Sequence, residues 1–276
     1  MTSRTARSLA YWLLLSPLMV VILFPFAVMV STAVKPRDEI LRTPPSWLPS
    51  HVRLENFVDM WNAVGFGPAL LNSILVSAGA TLVCLLVAIP AAYASARMRF
   101  LGQGLFRQFL LITQMLSPIV LLLGIFRLMA AMGLIDQLGS LVLAYAAFTL
   151  AFATWMLQSY FVTIPIELEE AARLDGASPL QSLRLVFLPL AAPALGVTAI
   201  FVFINAWNEF ALALTLLRST GKYTLTIQIF SLVGGRYSVE WDHVMGATLL
   251  ASVPVAVVFA ALQRYLVRGL ALGAVK

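Results

Sequence analysis

Six stretches of this chain contain no Asp, Glu, Lys or Arg for at least 19 residues: 8–34, 60–96, 108–126, 137–166, 185–208 and 243–263. A hydrocarbon core about 30 Å thick is crossed by about 20 helical residues. Each window is therefore long enough for one membrane crossing, and no other charge-free stretch reaches that length. Charged residues make up 11% of the chain, against about 25% in soluble domains. A soluble domain of this length has no way to hide the remaining apolar surface. The spacing predicts an all-α, polytopic membrane protein with six transmembrane helices near 9–34, 68–95, 106–129, 138–162, 190–217 and 244–267, forming a single transmembrane domain over 1–276. The period-2 alternation of an outer-membrane barrel is absent.

An even number of spans puts both termini on one side. With the N-terminus inside, ten Lys/Arg fall inside and eight outside, which favours that orientation by a small margin. The first apolar window is longer than a signal-peptide core and is followed by further spans, so it reads as a retained helix. Pro17 and Pro25 predict kinks in the first span, and the third, read as one helix, carries Pro118 and Gly124. In the first connection, Leu54, Phe57, Val58, Trp61 and Val64 share one helical face. That pattern suits a helix lying at the membrane interface or one that packs the loop. Arg127 and Asp136 fall at a span boundary, where snorkelling accounts for them.

Between the fourth and fifth windows, 163–189 reads as two short helices around a turn. Thr163-Ile-Pro165 predicts a capped helix start. Glu167, Glu169 and Glu170 lie near the positive end of its dipole. Asp175-Gly176 predicts the stop, with Gly176 left-handed. Ser178, Pro179 and Gln181 predict a capping box that opens a second helix. A solvated membrane turn needs far fewer residues. Leu168, Ala171, Ala172 and Leu174 also leave a small apolar surface for a partner to grip.

In the fifth span, Asn205-Ala206-Trp207-Asn208-Glu209 concentrates polar groups where they are costly. Helical spacing puts Asn205, Asn208 and Glu209 on one face. Two amides and a carboxylate there can hydrogen-bond a polyhydroxylated ligand or join one helix to another. Gln114, Gln158 and Tyr160 are further polar positions within spans, with packing as the simpler role for each.

The order Glu170-Ala171-Ala172, three residues, Gly176, nine residues, then Val186-Phe187-Leu188-Pro189 resembles the EAA loop of binding-protein-dependent ABC importer permeases, with Val186 where that family more often has Ile. Trp207-Asn208-Glu209-Phe210 is similar to a stretch of the carbohydrate-type members, close to the smaller permease subunit of maltose importers. The resemblance implies the type I ABC importer permease fold in a bacterial inner membrane, with both termini and the 163–189 loop cytoplasmic. It implies that Glu170, Ala171, Ala172, Asp175 and Gly176 couple to an ATPase, and that Asn205, Trp207, Asn208 and Glu209 flank a sugar pathway. It further implies that a loop with Gly234, Gly235, Arg236 and Tyr237 reaches an extracytoplasmic substrate-binding protein. Implied partners are a second homologous permease and two ATP-binding subunits that hold ATP and Mg. Sugars, polyols and glycerophospho-compounds all remain open as substrates.

Other classes are less well served. An ion-coupled secondary transporter or channel usually buries paired ionisable groups, and Glu209 is the one acidic residue well inside a predicted span. For a membrane enzyme no metal-ligand cluster is evident, His51 and His243 being isolated in sequence. The chain contains no G-x-x-x-x-G-K-[ST] loop, so no cofactor is expected on it and ATPase activity is expected on a separate subunit. Cys84, within the second window, reads as a small buried apolar side chain. The sequence pI near 9.8 reflects scarce acids, and no separate basic domain suggests a nucleic-acid partner.

Overall fold

Helices account for nearly all of the regular structure in the computed structural model, which describes residues 3–234 and 239–273. The chain opens with α1 (Ser3–Ala33), α2 (Arg37–Ile40) and α3 (Glu55–Ala63). It continues with α4 (Phe66–Arg97), α5 (Gln103–Gln114), α6 (Pro118–Ala131) and α7 (Leu138–Thr163). The next segments are α8 (Ile166–Leu174), α9 (Pro179–Ser182), a π-helical turn (Leu183–Phe187) and α10 (Leu188–Leu190). Then come α11 (Ala192–Asn208), α12 (Ala211–Leu216), a 3₁₀ turn (Thr220–Lys222), α13 (Leu225–Ser231) and α14 (Trp241–Gly273). Four of these, α1, α4, α7 and α14, are individually long and apolar enough to cross a membrane. Two bent pairs, α5 with α6 and α9–α10 with α11, raise the number to six if each pair counts as one span.

The third span is thus not one continuous helix. α5 and α6 meet at 102°. Pro118 opens α6, and Ser117 before it is extended at φ −70°, ψ 131°. Proline lacks an N–H and excludes helical geometry from the residue before it. Pro17, Pro25, Pro90 and Pro254, by contrast, sit inside helices that continue through them. The fifth span is likewise broken, bending by 82° between its two parts.

The chain divides into two compact units, Met1–Gly67 with Gln228–Val253, and Pro68–Ile227 with Pro254–Lys276. In the first, α3 is rooted by Asn56, whose amide donates to the carbonyls of Ala33 and Lys35. Its buried residues are Asn56 and Met60, while Leu54, Val58 and Trp61 face outward. One helix therefore packs the loop by one side and keeps an apolar strip exposed on the other. Arg37 of α2 donates to Glu240 at 2.7 Å and to Asp242 at 3.0 Å, and lies 3.0 Å from the His243 ring. Asp242 and His243 are only 1% and 2% exposed. His243, isolated in the sequence, thus belongs to an ionic cluster around Arg37.

In the second unit α7 is central, with α5 and α11 packed along it. Its core joins small residues such as Ala88, Ala146 and Ala153 to Leu157, Phe161 and Phe187. Cys84 lies in this core and accepts a weak hydrogen bond from Thr149. Asp136 does not snorkel. It takes a left-handed conformation, φ 58°, and accepts from the backbone N–H groups of Arg218 and Ser219, the Ser219 hydroxyl and Lys222. The Ser219 hydroxyl, followed by these backbone donors, holds the Asp136 carboxyl well below the usual carboxylate range.

Candidate functional site: an exposed helical hairpin and a polar groove

The hairpin forms as its local signals require, with one exception. Thr163 does not cap α8. It is the last residue of α7 and its hydroxyl donates back to the Tyr160 carbonyl, while Pro165 occupies the position before α8 without a side-chain cap. A hydroxyl in a closing helical turn finds a carbonyl four or fewer residues back more easily than amides still to come. At the other end, the N–H of Gly176 donates to Arg173 and that of Ala177 to Ala172. With Gly176 at φ +83°, this is the double closure by which a left-handed glycine satisfies the last carbonyls of a helix. Beyond the turn, Gln181 N–H donates to the Ser178 hydroxyl at 3.3 Å, and Ser178 N–H donates to the Gln181 side chain at 2.7 Å. That is the capping box the spacing predicts.

Glu170, Ala171, Asp175 and Gly176 are exposed and Ala172 is half-buried. Around them Leu168, Leu174, Leu180 and Leu185 also face outward, Leu174 being 90% exposed. Glu169 behaves oppositely, at 3% exposed. It accepts from Tyr93 at 3.1 Å and from Arg173 at 2.6 Å, and pairs with Arg97 at 3.7 Å. Sequence reasoning treats Glu169 as one of three dipole-favouring carboxylates. Its inward position follows from Tyr93 and Arg97, more than 70 residues earlier.

The polar face of the fifth span is rearranged. α11 stops at Asn208 and Glu209 is extended, at φ −71°, ψ 131°. The carboxylate of Glu209 accepts the N–H groups of Leu212 and Ala213, at 2.9 and 3.2 Å, which start α12, and the Tyr145 hydroxyl at 2.8 Å. Glu209 is therefore not on a continuous helical face with Asn205 and Asn208, because its backbone has left the helix. Asn205 and Glu209 nevertheless line one groove of about 250 Å³ together with Gln114, Tyr145, Phe152 and Phe201. Phe152 and Phe201 are stacked, centroids 3.9 Å apart. Asn205 donates to the Phe201 carbonyl within its own helix. Trp207 is 5% exposed and stacks on Phe203, so its ring serves packing. Asn208 is exposed and does not line the groove. Tyr160 donates to the Leu190 carbonyl, a helix-to-helix contact. Tyr145, Phe152 and Phe201 carry no signal in an apolar sequence that sets them apart from core aromatics. Of the 234–237 segment, Gly234 follows α13 and its N–H donates to the Phe230 carbonyl at 2.8 Å; Gly235, Arg236 and Tyr237 lie outside the described residues.

These features define a multi-pass helical membrane protein with an outward-facing hairpin and a polar groove in its second unit. Residues 84–272 match the family described as binding-protein-dependent transport system inner membrane component, and the chain belongs to that family. It is 33% identical over 275 residues to the inner membrane ABC transporter permease protein YcjP of Escherichia coli (strain K12), covering 99% of this chain and 98% of that one. It is 34% identical over 273 residues to the trehalose transport system permease protein SugB of Mycobacterium tuberculosis, covering 98% and 99%. It is 34% identical over 259 residues to the trehalose/maltose transport system permease protein MalG of Thermococcus litoralis, covering 93% and 92%. Among solved structures, a bacterial ABC transporter involved in import of the acidic polysaccharide alginate superposes with a TM-score of 0.81 at 25% identity, covering 96% of this chain and 99% of that one.

Proposed function

We propose that this chain is one permease subunit of an ATP-driven importer for a sugar or related polyol. It lies in a bacterial inner membrane with both termini and the α8 hairpin cytoplasmic. Its partners are a second homologous permease, two ATP-binding subunits that carry ATP and Mg, and an extracytoplasmic substrate-binding protein. The observation that carries the reading is the hairpin itself. α8 ends in a closed glycine stop and presents Glu170, Ala171 and Gly176 outward beside exposed leucines, while its Glu169 is anchored inward. A short, capped, rooted projection suits the transfer of force from a separate motor. Relatives named for trehalose and trehalose/maltose transport support the substrate class. So does the groove, whose stacked aromatics offer an apolar face and whose Asn205, Gln114 and Glu209 offer hydrogen bonds. Asn205 and Glu209 are the groove-lining members of the pathway, and Asn208 and Trp207 flank it.

The test is reconstitution of the chain with its partner subunits in proteoliposomes. A cytoplasmic ATPase is expected to co-purify, and uptake is expected to require ATP. A Cβ at Gly176 meets open space, so the cost of Gly176→Ala is the left-handed backbone alone, about 1–2 kcal/mol. That variant is expected to weaken both ATPase retention and uptake while the chain remains folded. Uptake by the chain alone without ATP would instead indicate an ion-coupled carrier or channel. In the groove, Asn205→Leu is expected to lower uptake severalfold with ATPase retention unchanged.

A further inference from the structure

Four segments of the second unit meet at one buried point. Arg97, the last residue of α4, donates through its guanidinium to the carbonyls of Phe161 and Ile164 at the end of α7. The same guanidinium pairs with Glu169 in the first turn of α8 and sits 5.0 Å from the centre of the Phe187 ring, in the π-helical turn that leads to α11. Tyr93, one turn before Arg97, donates to Glu169 and meets the Phe187 ring edge-on at 5.0 Å. Phe161 meets that ring edge-on from another side at 5.6 Å. Phe187 is fully buried.

The physical roles are distinct. Arg97 adds a side-chain donor to two carbonyls at the end of α7, of which that of Phe161 also accepts from the Ile164 N–H at 3.3 Å, and a cation is favoured at that helix end. Its charge is matched by Glu169, whose carboxylate is then completed by Tyr93 and Arg173. A planar guanidinium can serve carbonyls, a carboxylate and a ring face at once in a way an ammonium cannot. Moving Tyr93 or Arg97 away withdraws a hydroxyl or a charge from the buried Glu169 carboxylate, which stiffens the cluster although Arg97 Nε, 3.7 Å from Glu169, itself makes no hydrogen bond.

We infer that Arg97, Glu169 and Tyr93 are positioning residues of a transmission node, which makes α8 move as one body with the ends of α4 and α7 and passes the same displacement to α11 through Phe187. This rests on the proposed docking of an ATPase on the outer face of α8. Residue 169 turns inward and residue 170 outward, so adjacent positions divide the anchoring and docking duties.

The experiment uses the assembled transporter in lipid vesicles, on a Cys84→Ala background, with spin labels at Glu167→Cys on α8 and Leu86→Cys on α4. Electron–electron distances are recorded without nucleotide and with ATP under non-hydrolysing conditions. In the otherwise unaltered chain the distance between labels is expected to stay constant on ATP binding, because both helices move together. In Glu169→Gln and Arg97→Met, ATP is expected to shift or broaden that distance while the ATPase still co-purifies. Tyr93→Phe, which removes one hydrogen bond and keeps the ring, is expected to give a smaller loss of the common movement. It supplies the readout if Arg97→Met fails to assemble. An ATP-induced shift in the unaltered chain, or an unchanged distance in both Glu169→Gln and Tyr93→Phe with ATPase bound, would overturn the node and leave the functional proposal standing. Failure of any ATPase to bind the unaltered chain would overturn both.

Discussion

Neighbouring carboxylates of similar sequence context have opposite fates here. Glu169 and Glu170 sit side by side in the first half of α8, yet one is buried in a ring of donors and the other is solvated. Helix geometry turns consecutive side chains by about 100°, so the direction of each was legible once the helix was placed. Which of the two faced the interior depended on where Tyr93 and Arg97 waited. Asp136 shows the same dependence and yields a pH prediction. Its folded carboxyl lies below its ordinary value of 3.8. A depressed carboxyl contributes stability that is fully present above the ordinary value and fades as pH falls through the folded one. The difference in thermal midpoint between the unaltered chain and Asp136→Asn in detergent is therefore expected to be constant above about pH 5 and to narrow progressively below about pH 4. A difference that widened on acidification would contradict the assigned partners.

At the scale of elements, short helices here are made by their ends. α9 has four residues, too few to hold itself by propagation, and its reciprocal Ser178–Gln181 cap supplies two backbone partners. Ser178→Ala is expected to cost about 1 kcal/mol locally. Amide exchange across 180–182 should accelerate severalfold, with exchange in α7 unchanged. Long helices follow other rules. Pro17, Pro25, Pro90 and Pro254 lie inside apolar helices that continue, whereas Pro118 opens α6 just after the 102° turn and Pro193 lies at the start of α11 just after the 82° one. Proline removes one hydrogen bond wherever it sits, but neighbouring helices decide whether the chain passes through or turns. α3 adds a case in which an expected apolar face is only half right. Asn56, a polar residue, is what roots it, because two carbonyls at the end of α1 lie within reach.

At the scale of the whole molecule, charge is scarce in the spans, Arg127 and Glu209 excepted, and is concentrated where it can be paired. Arg37 joins α2 to the start of α14 across more than 200 residues of chain. It is half-exposed but its partner Asp242 is fully buried, whereas Arg53 pairs with the exposed Glu55 and Asp59. Losing a buried carboxylate's partner costs more than losing a surface pair. Arg37→Met is expected to lower stability by about 1–2 kcal/mol, discounted for its exposure, and Arg53→Met by no more than about 0.5 kcal/mol. Thermal unfolding of the two variants in detergent checks the ranking. The outward apolar surface of α1, described from Tyr11 onward, is left to lipid or a neighbouring subunit.

From the residue order alone came the apolar segments, the absence of a barrel pattern, the glycine stop and the Ser178 cap. All of these rest on costs that act locally or within one helix: a charge in hydrocarbon, a left-handed backbone, an amide without a partner. The break at Pro118, the departure of Glu209 from its helix toward Tyr145 and the amides of α12, the cluster around His243 and the inward turn of Glu169 were decided only when distant segments met. A buried polar group takes whichever partner the fold brings within about 3 Å, and for Glu169 one such partner, Tyr93, stands 76 positions away along the chain.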